Sequence, residues 1–125
     1  MYNVCMLAEK KIKSFIYALT GLKIAWLEEH NFRFHIGFAI ITLIAAWFFD
    51  LSQTEFLIII FMIGFILTAE AFNTALEELC DKFQPSHDPH IAKIKDLAAA
   101  AVFIAATTAL IVGIIIFTPY VLPYI

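Results

Sequence analysis

The chain has 125 residues, a formal net charge of −3 and 62% apolar residues, with a mean hydropathy of +0.88. Soluble domains carry ~45–50% apolar residues, and a chain this short has no core large enough to hide the excess, so a soluble domain is excluded. A disulfide-stapled module is excluded too: Cys5 and Cys80 make no framework and are read as free thiols.

What remains is a single all-α integral membrane domain over residues 1–125, taken here in chain order. The opening "MYNVCMLAEKKIKSF" has neither the long apolar core nor the small-residue cleavage site of a signal peptide, and Cys5 is expected in a frayed terminus. From about residue 9 to about 29, Phe15, Leu19, Leu22 and Trp26 recur on one helical face. Lys11, Lys13 and Lys23 lie along the same stretch. A surface helix is expected there, with lysines placed for anionic headgroups; on pattern alone it is equally well an anchor and nothing more.

Three apolar blocks follow, over residues 34–49, 56–72 and 97–117. A spanning helix needs ~20 apolar residues, ~17 at the short end. The third block meets this alone, and the first two need flanking polar residues at headgroup depth. The expected spans are about 33–50, about 54–83 with an extension beyond the membrane, and about 89–118. The link "DLSQTE" carries no Lys or Arg. Every basic residue lies before the first span (Lys10, Lys11, Lys13, Lys23, Arg33) or between the second and third (Lys82, Lys93, Lys95). The positive-inside rule puts those regions in the cytoplasm and the C-terminus, with Tyr120 and Tyr124 at the interface, outside.

The second span runs without a turn into "AEAFNTALEELCD". At ~100° per residue, Glu70, Glu77 and Asp81 share a ~40° sector, Thr74 lies close by, and Asn73 is ~60° to the other side. A carboxylate in or at the edge of hydrocarbon costs ~3 kcal/mol on insertion scales and faces a partner or a watery site. A salt bridge to Lys93 or Lys95 accounts for one carboxylate of the stripe, not three. Carboxylates so grouped suit a hard cation such as Mg²⁺, which completes its shell with substrate phosphates. Pro85 ends the helix. In "DPHIAKIKD", Asp88 is the expected N-cap and Pro89 the first helical residue of the third span. Lys93, Lys95 and Asp96 then stand at its start. Lysine there is a natural phosphate partner, or it enforces topology alone. His87 and His90 read as solvated loop residues.

"EAFNTALEELCD" followed by "AKIKDLAAAAV" resembles the signature of the prokaryotic diacylglycerol kinase family, which includes undecaprenol kinases. "GLKIAWLEEHNFR" is similar to the family's surface-helix segment, and the likeness runs from about Lys13 to Phe117. The resemblance implies a homotrimeric enzyme of the bacterial inner membrane, with a surface helix and three spans per subunit. Such an enzyme phosphorylates a lipid hydroxyl from Mg-ATP at the cytoplasmic face, without a P-loop. It implies Glu70 as the general base, Glu77 and Glu29 as metal carboxylates, and Asn73 ordering metal and phosphates. Lys95 is implied on the ATP phosphates, Asp96 and Tyr17 around the nucleotide, and Asp81 and Lys93 in support. Ile94 stands where the family often has a small residue, and "LAAAAV" lacks a common glycine or serine, which bears on nucleotide affinity. "HNFRFH" looks more like the undecaprenol kinase branch than the enterobacterial diacylglycerol kinase branch.

Two other classes compete with a lipid kinase. An ion- or proton-binding transporter or channel subunit calls for broken or glycine-rich helices, whereas Gly37, Gly64 and Gly113 stand singly in the spans. A non-catalytic assembly protein has no use for the acidic stripe together with Lys95 and Asp96. The expected partners are a lipid alcohol, ATP, the bilayer and further copies of the chain, with no nucleic acid; runs such as residues 98–101 suit close helix contacts between copies.

Overall fold

The computed structural model describes residues 2–125, apart from the side chains of residues 2, 3 and 5, so the reading of Cys5 lies outside it. Four helices follow one another: α1 (Tyr2–Glu28), α2 (His30–Phe48), α3 (Gln53–Phe83) and α4 (Pro89–Val121), with a 3₁₀ turn over Leu122–Tyr124. Among the described residues there is no β-strand. Residues 1–30 and 31–125 form two compact units.

In the first unit α1 begins at Tyr2 rather than near residue 9. No Gly or Pro interrupts its opening turns, and Lys13 Nζ pairs with Glu9 Oε1 at 2.8 Å, one turn apart. Ser14 and Thr20 hydroxyls donate to the carbonyls of Lys10 and Ile16. Phe15, Leu19, Leu22 and Trp26 are all exposed on it.

In the second unit, α2, α3 and α4 are each long and apolar enough to cross a membrane. Only 11% of the most apolar stretch of each is buried, so the apolar side chains face outward and require a lipid solvent. The small core is Phe32 and Ala46 on α2, Ile59 and Cys80 on α3, and Ala98, Ala105 and Ile116 on α4. Cys80 is a free thiol. Packing between helices is concentrated between α3 and α4.

Lengths differ in a way that matters. The 19 residues of α2 span ~28 Å, close to the ~30 Å hydrocarbon thickness. The 31 residues of α3 span ~46 Å, and so carry several turns past the membrane. The end that protrudes with the charged half of α3 meets the start of α4, whose N-cap is Asp88 as expected. Its carboxylate accepts from the N–H groups of His90 (2.7 Å) and Ile91 (3.2 Å), and Pro89 occupies the first turn. At the far end of α3, Gln84 N–H closes on the Cys80 carbonyl at 2.9 Å.

Residues 49–52 join α2 to α3 with both helix ends chemically closed. Asp50 adopts a positive φ of 52°, and Leu51 N–H donates to Ala46 O at 3.1 Å while Asp50 N–H donates to Trp47 O at 3.2 Å. This is the paired-bond C-terminal motif that satisfies orphan carbonyls. Ser52 then opens α3 with a capping box: its hydroxyl accepts from Glu55 N–H and the Glu55 carboxylate accepts from Ser52 N–H. Tyr120 O–H donates to the same carboxylate at 2.7 Å, tying α4 to this corner, and Phe49 packs against Phe117, Tyr120 and Tyr124. Ser52→Ala is expected to cost about 1 kcal/mol of stability, read as a lowered unfolding midpoint in detergent; an unchanged midpoint would show that the cap contributes nothing.

Candidate functional site

Glu70 is the buried charged residue of the described chain, at 3% exposure, in the middle of α3. A carboxylate taken out of water loses several kcal/mol of solvation unless donors replace it. His35 of α2 comes close to it: its Nε2 stands 3.1 Å from Glu70 Oε1. Helix geometry explains the meeting. His35 lies ~20 Å along α2 from its end at Phe48, and Glu70 ~26 Å along α3 from its start at Gln53. Side chains lean toward the N-terminus of their own helix. In this antiparallel pair the lean carries His35 outward along the axis and Glu70 back, which closes the offset.

One turn further along α3, Asn73 Nδ2 donates to Glu77 Oε1 at 3.2 Å, an i,i+4 pair on one face. Both residues are half-buried. Asn73 Oδ1 is buried and has no hydrogen-bond partner, which leaves a desolvated oxygen acceptor beside a carboxylate. Nearer the end of α3, Asp81 accepts from Lys95 Nζ of α4 at 2.8 Å. Lys95 is thus the lysine that pairs with the stripe. Lys93 and Asp96 are exposed in the neighbouring turn, as are His87 and His90.

The sequence-predicted residues therefore fall into three local groups along one face of α3: Glu70 with His35, Asn73 with Glu77, and Asp81 with Lys95. Tyr17 and Glu29 belong to the N-terminal unit. Tyr17 is exposed on α1, and Glu29 is the half-buried residue between α1 and α2. Among the described residues, no three His, Cys, Asp or Glu side chains gather as a metal site.

A cavity of about 440 Å³ lies among α2, α3 and α4. His35 and Thr42 are the polar residues in a wall otherwise apolar, which includes Phe34, Leu67, Ala106 and Phe117. Since Ala106 to Phe117 covers ~16 Å of α4, the cavity is a slot along the helices with His35 in its wall. His35 is the functional candidate that sequence reasoning missed. Its signal was present, an ionisable residue inside an apolar block.

The profile of the family described as prokaryotic diacylglycerol kinase matches residues 16–117. The undecaprenol kinase of Bacillus subtilis is 37% identical over 107 residues, 86% of this chain and 87% of that protein. The diacylglycerol kinase of Haemophilus influenzae is 31% identical, covering 83% of this chain and 86% of its own. That of Escherichia coli K12 is 27% identical, over 80% and 82% respectively.

The Asp81–Lys95 pair is solvent-exposed, with side-chain exposures of 65% and 35%, and exposed pairs contribute ~0–1 kcal/mol. A double-mutant cycle on Asp81→Asn and Lys95→Met is expected to give a coupling below about 1 kcal/mol; a larger value would mean that Lys95 is locked to Asp81 rather than available.

Proposed function

The chain belongs to the prokaryotic diacylglycerol kinase family, and from that membership and the Glu70 site we propose that this lipid kinase phosphorylates a membrane lipid alcohol with ATP and Mg²⁺. The observation that carries the reading is the carboxylate of Glu70, buried within an apolar helix and in contact with the His35 that lines the apolar slot. That position suits a hydroxyl at the head of a hydrocarbon chain. Glu70 takes the hydroxyl proton as the oxygen attacks the γ-phosphorus of ATP; the bond from that phosphorus to the β-phosphate oxygen breaks and ADP leaves. Holding the reactants and neutralising charge do most of the work in such a transfer.

The residues beyond Glu70 suit the phosphates. The unpartnered Asn73 oxygen beside the Glu77 carboxylate is an oxygen donor set that fits a hard cation. Glu77 and Asn73 would hold Mg²⁺, and by the resemblance Glu29 supplies a further carboxylate, from this or another copy of the chain. Bound there, the ion neutralises phosphate charge. Lys95, in a weak exposed pair with Asp81, is ready to exchange that partner for a phosphate, with Asp81 and Lys93 in support and Asp96 and Tyr17 around the nucleotide. The greater likeness to the undecaprenol kinase than to the E. coli diacylglycerol kinase favours undecaprenol over diacylglycerol as acceptor. The unbroken course of α3 through Glu70 counts against the transporter reading, which calls for interrupted helices.

We place the enzyme in the bacterial inner membrane, N-terminus and α1 on the cytoplasmic side and C-terminus outside, on the strength of the lysine distribution. The exposed apolar face of α1 suits the membrane surface. Outward-facing apolar helices leave surface for a homotrimer.

Transfer of labelled phosphate from ATP in mixed micelles, with undecaprenol and diacylglycerol supplied separately and together, tests the reading; no transfer to either by folded, oligomeric protein would sink it. Glu70→Gln is expected to lower kcat by about 10²–10⁴-fold with ATP binding retained, and Glu77→Gln to raise the Mg²⁺ concentration needed for half-maximal rate. Full activity of the first, or an unchanged Mg²⁺ titration of the second, would remove that residue from its role.

A further inference from the structure

We propose that His35 is a positioning residue for the reaction: through Nε2 it fixes the rotamer of the Glu70 carboxylate against the apolar slot. The inference rests on the assignment of Glu70 as the base. It is carried by the contact between the two helices. His35 Nε2 is 3.1 Å from Glu70 Oε1, and the side chains are 19% and 4% exposed. His35 also lines the slot, so one imidazole touches both the carboxylate and the space that suits the lipid chain.

Glutamate on a helix has three side-chain torsions, and each close polar neighbour from outside the helix narrows the rotamers it adopts. An imidazole nitrogen 3.1 Å away on a neighbouring helix narrows that freedom, because a close polar contact favours the rotamers that keep it. A base must lie within hydrogen-bond reach of the proton it removes, so a carboxylate free to swing loses rate even when its chemistry is intact. The imidazole is itself steadied. Phe34, the preceding residue, packs edge-on to its ring with centroids 5.9 Å apart. The short, doubly closed connection over residues 49–52 sets the axial register that lets the two side chains meet.

The nitrogen involved makes the inference sharp. The glutamine amide nitrogen reaches close to the place of Nε2, whereas that of asparagine falls near Nδ1, a bond shorter. His35→Leu is expected to lower kcat by about 10–100-fold, part of what a general base contributes, with the KM for ATP changed by less than about twofold. His35→Gln is expected to recover to within about threefold of the parent while His35→Asn stays with the leucine variant. In a Glu70→Gln background, His35→Leu is expected to slow the residual rate no further, because the group it positions is gone.

Each variant is compared at equal helical content and equal oligomeric state. Should the leucine variant not assemble, the glutamine and asparagine pair, similar in size and polarity, decides the matter. Parent-like kcat for His35→Leu, equal recovery by glutamine and asparagine, no recovery by glutamine, or a full further loss in the Glu70→Gln background would each overturn the proposal. Full activity of Glu70→Gln alone would instead overturn the assignment of the base. An inactive Glu70→Gln beside a fully active His35→Leu would leave the base standing and remove only His35.

Discussion

Glu70 places an ionisable group inside an apolar helix, and the meeting of α2 with α3 answers that constraint. A buried carboxylate demands donors from outside its own helix, since the backbone N–H groups around it are committed to the helical ladder. His35 comes within reach of Glu70 only if α2 lies against α3 with the right axial offset. The offset depends on a connection with no slack, and the connection is tightened by Asp50, Ser52 and Glu55, with Tyr120 joining α4 to the same corner. Polar contacts at the two ends of the helices are thus linked through the rigid rods between them.

The face of α3 grades from dry to wet. Glu70 is buried, Asn73 and Glu77 are half-buried, and Asp81 is exposed. Each position has the chemistry its depth permits: a buried carboxylate beside a histidine, then an amide–carboxylate pair, then an ion pair weakened by water. A helix crossing from hydrocarbon to solvent can therefore arrange a lipid alcohol, a cation and a nucleotide in sequence without any loop built for the purpose.

Much of this was readable beforehand because it depends on local chemistry. Apolar blocks, the first two extended by their polar flanks, mark α2, α3 and α4; the ~100° step places Glu70, Glu77 and Asp81 on one face; Asp88 followed by Pro89 announces the start of α4. The Ser52–Glu55 box is likewise local, a Ser-x-x-Glu pattern at the start of α3. The apolar periodicity of α1 begins later than the helix, so it marks a face of α1 and not its start at Tyr2. His35 is of another kind. Its partner lies on a different helix, and which residues meet across an antiparallel pair depends on offset and lean, neither of which is written in either segment alone. The same holds for Lys95, whose choice of Asp81 over Glu77 depends on how α4 crosses the end of α3.

The closed connection over residues 49–52 has a consequence for how the chain can change over evolutionary time. A helix rotates its side chains by ~100° for every residue gained or lost, so an insertion or deletion anywhere between this corner and the acidic stripe swings the whole stripe away from α2 and off its face. Lengthening is harmless only beyond Asp81 or within the turn before α4. The chain length between the corner and Glu70 is in effect a ruler, which sets how far along α2 the carboxylate can reach.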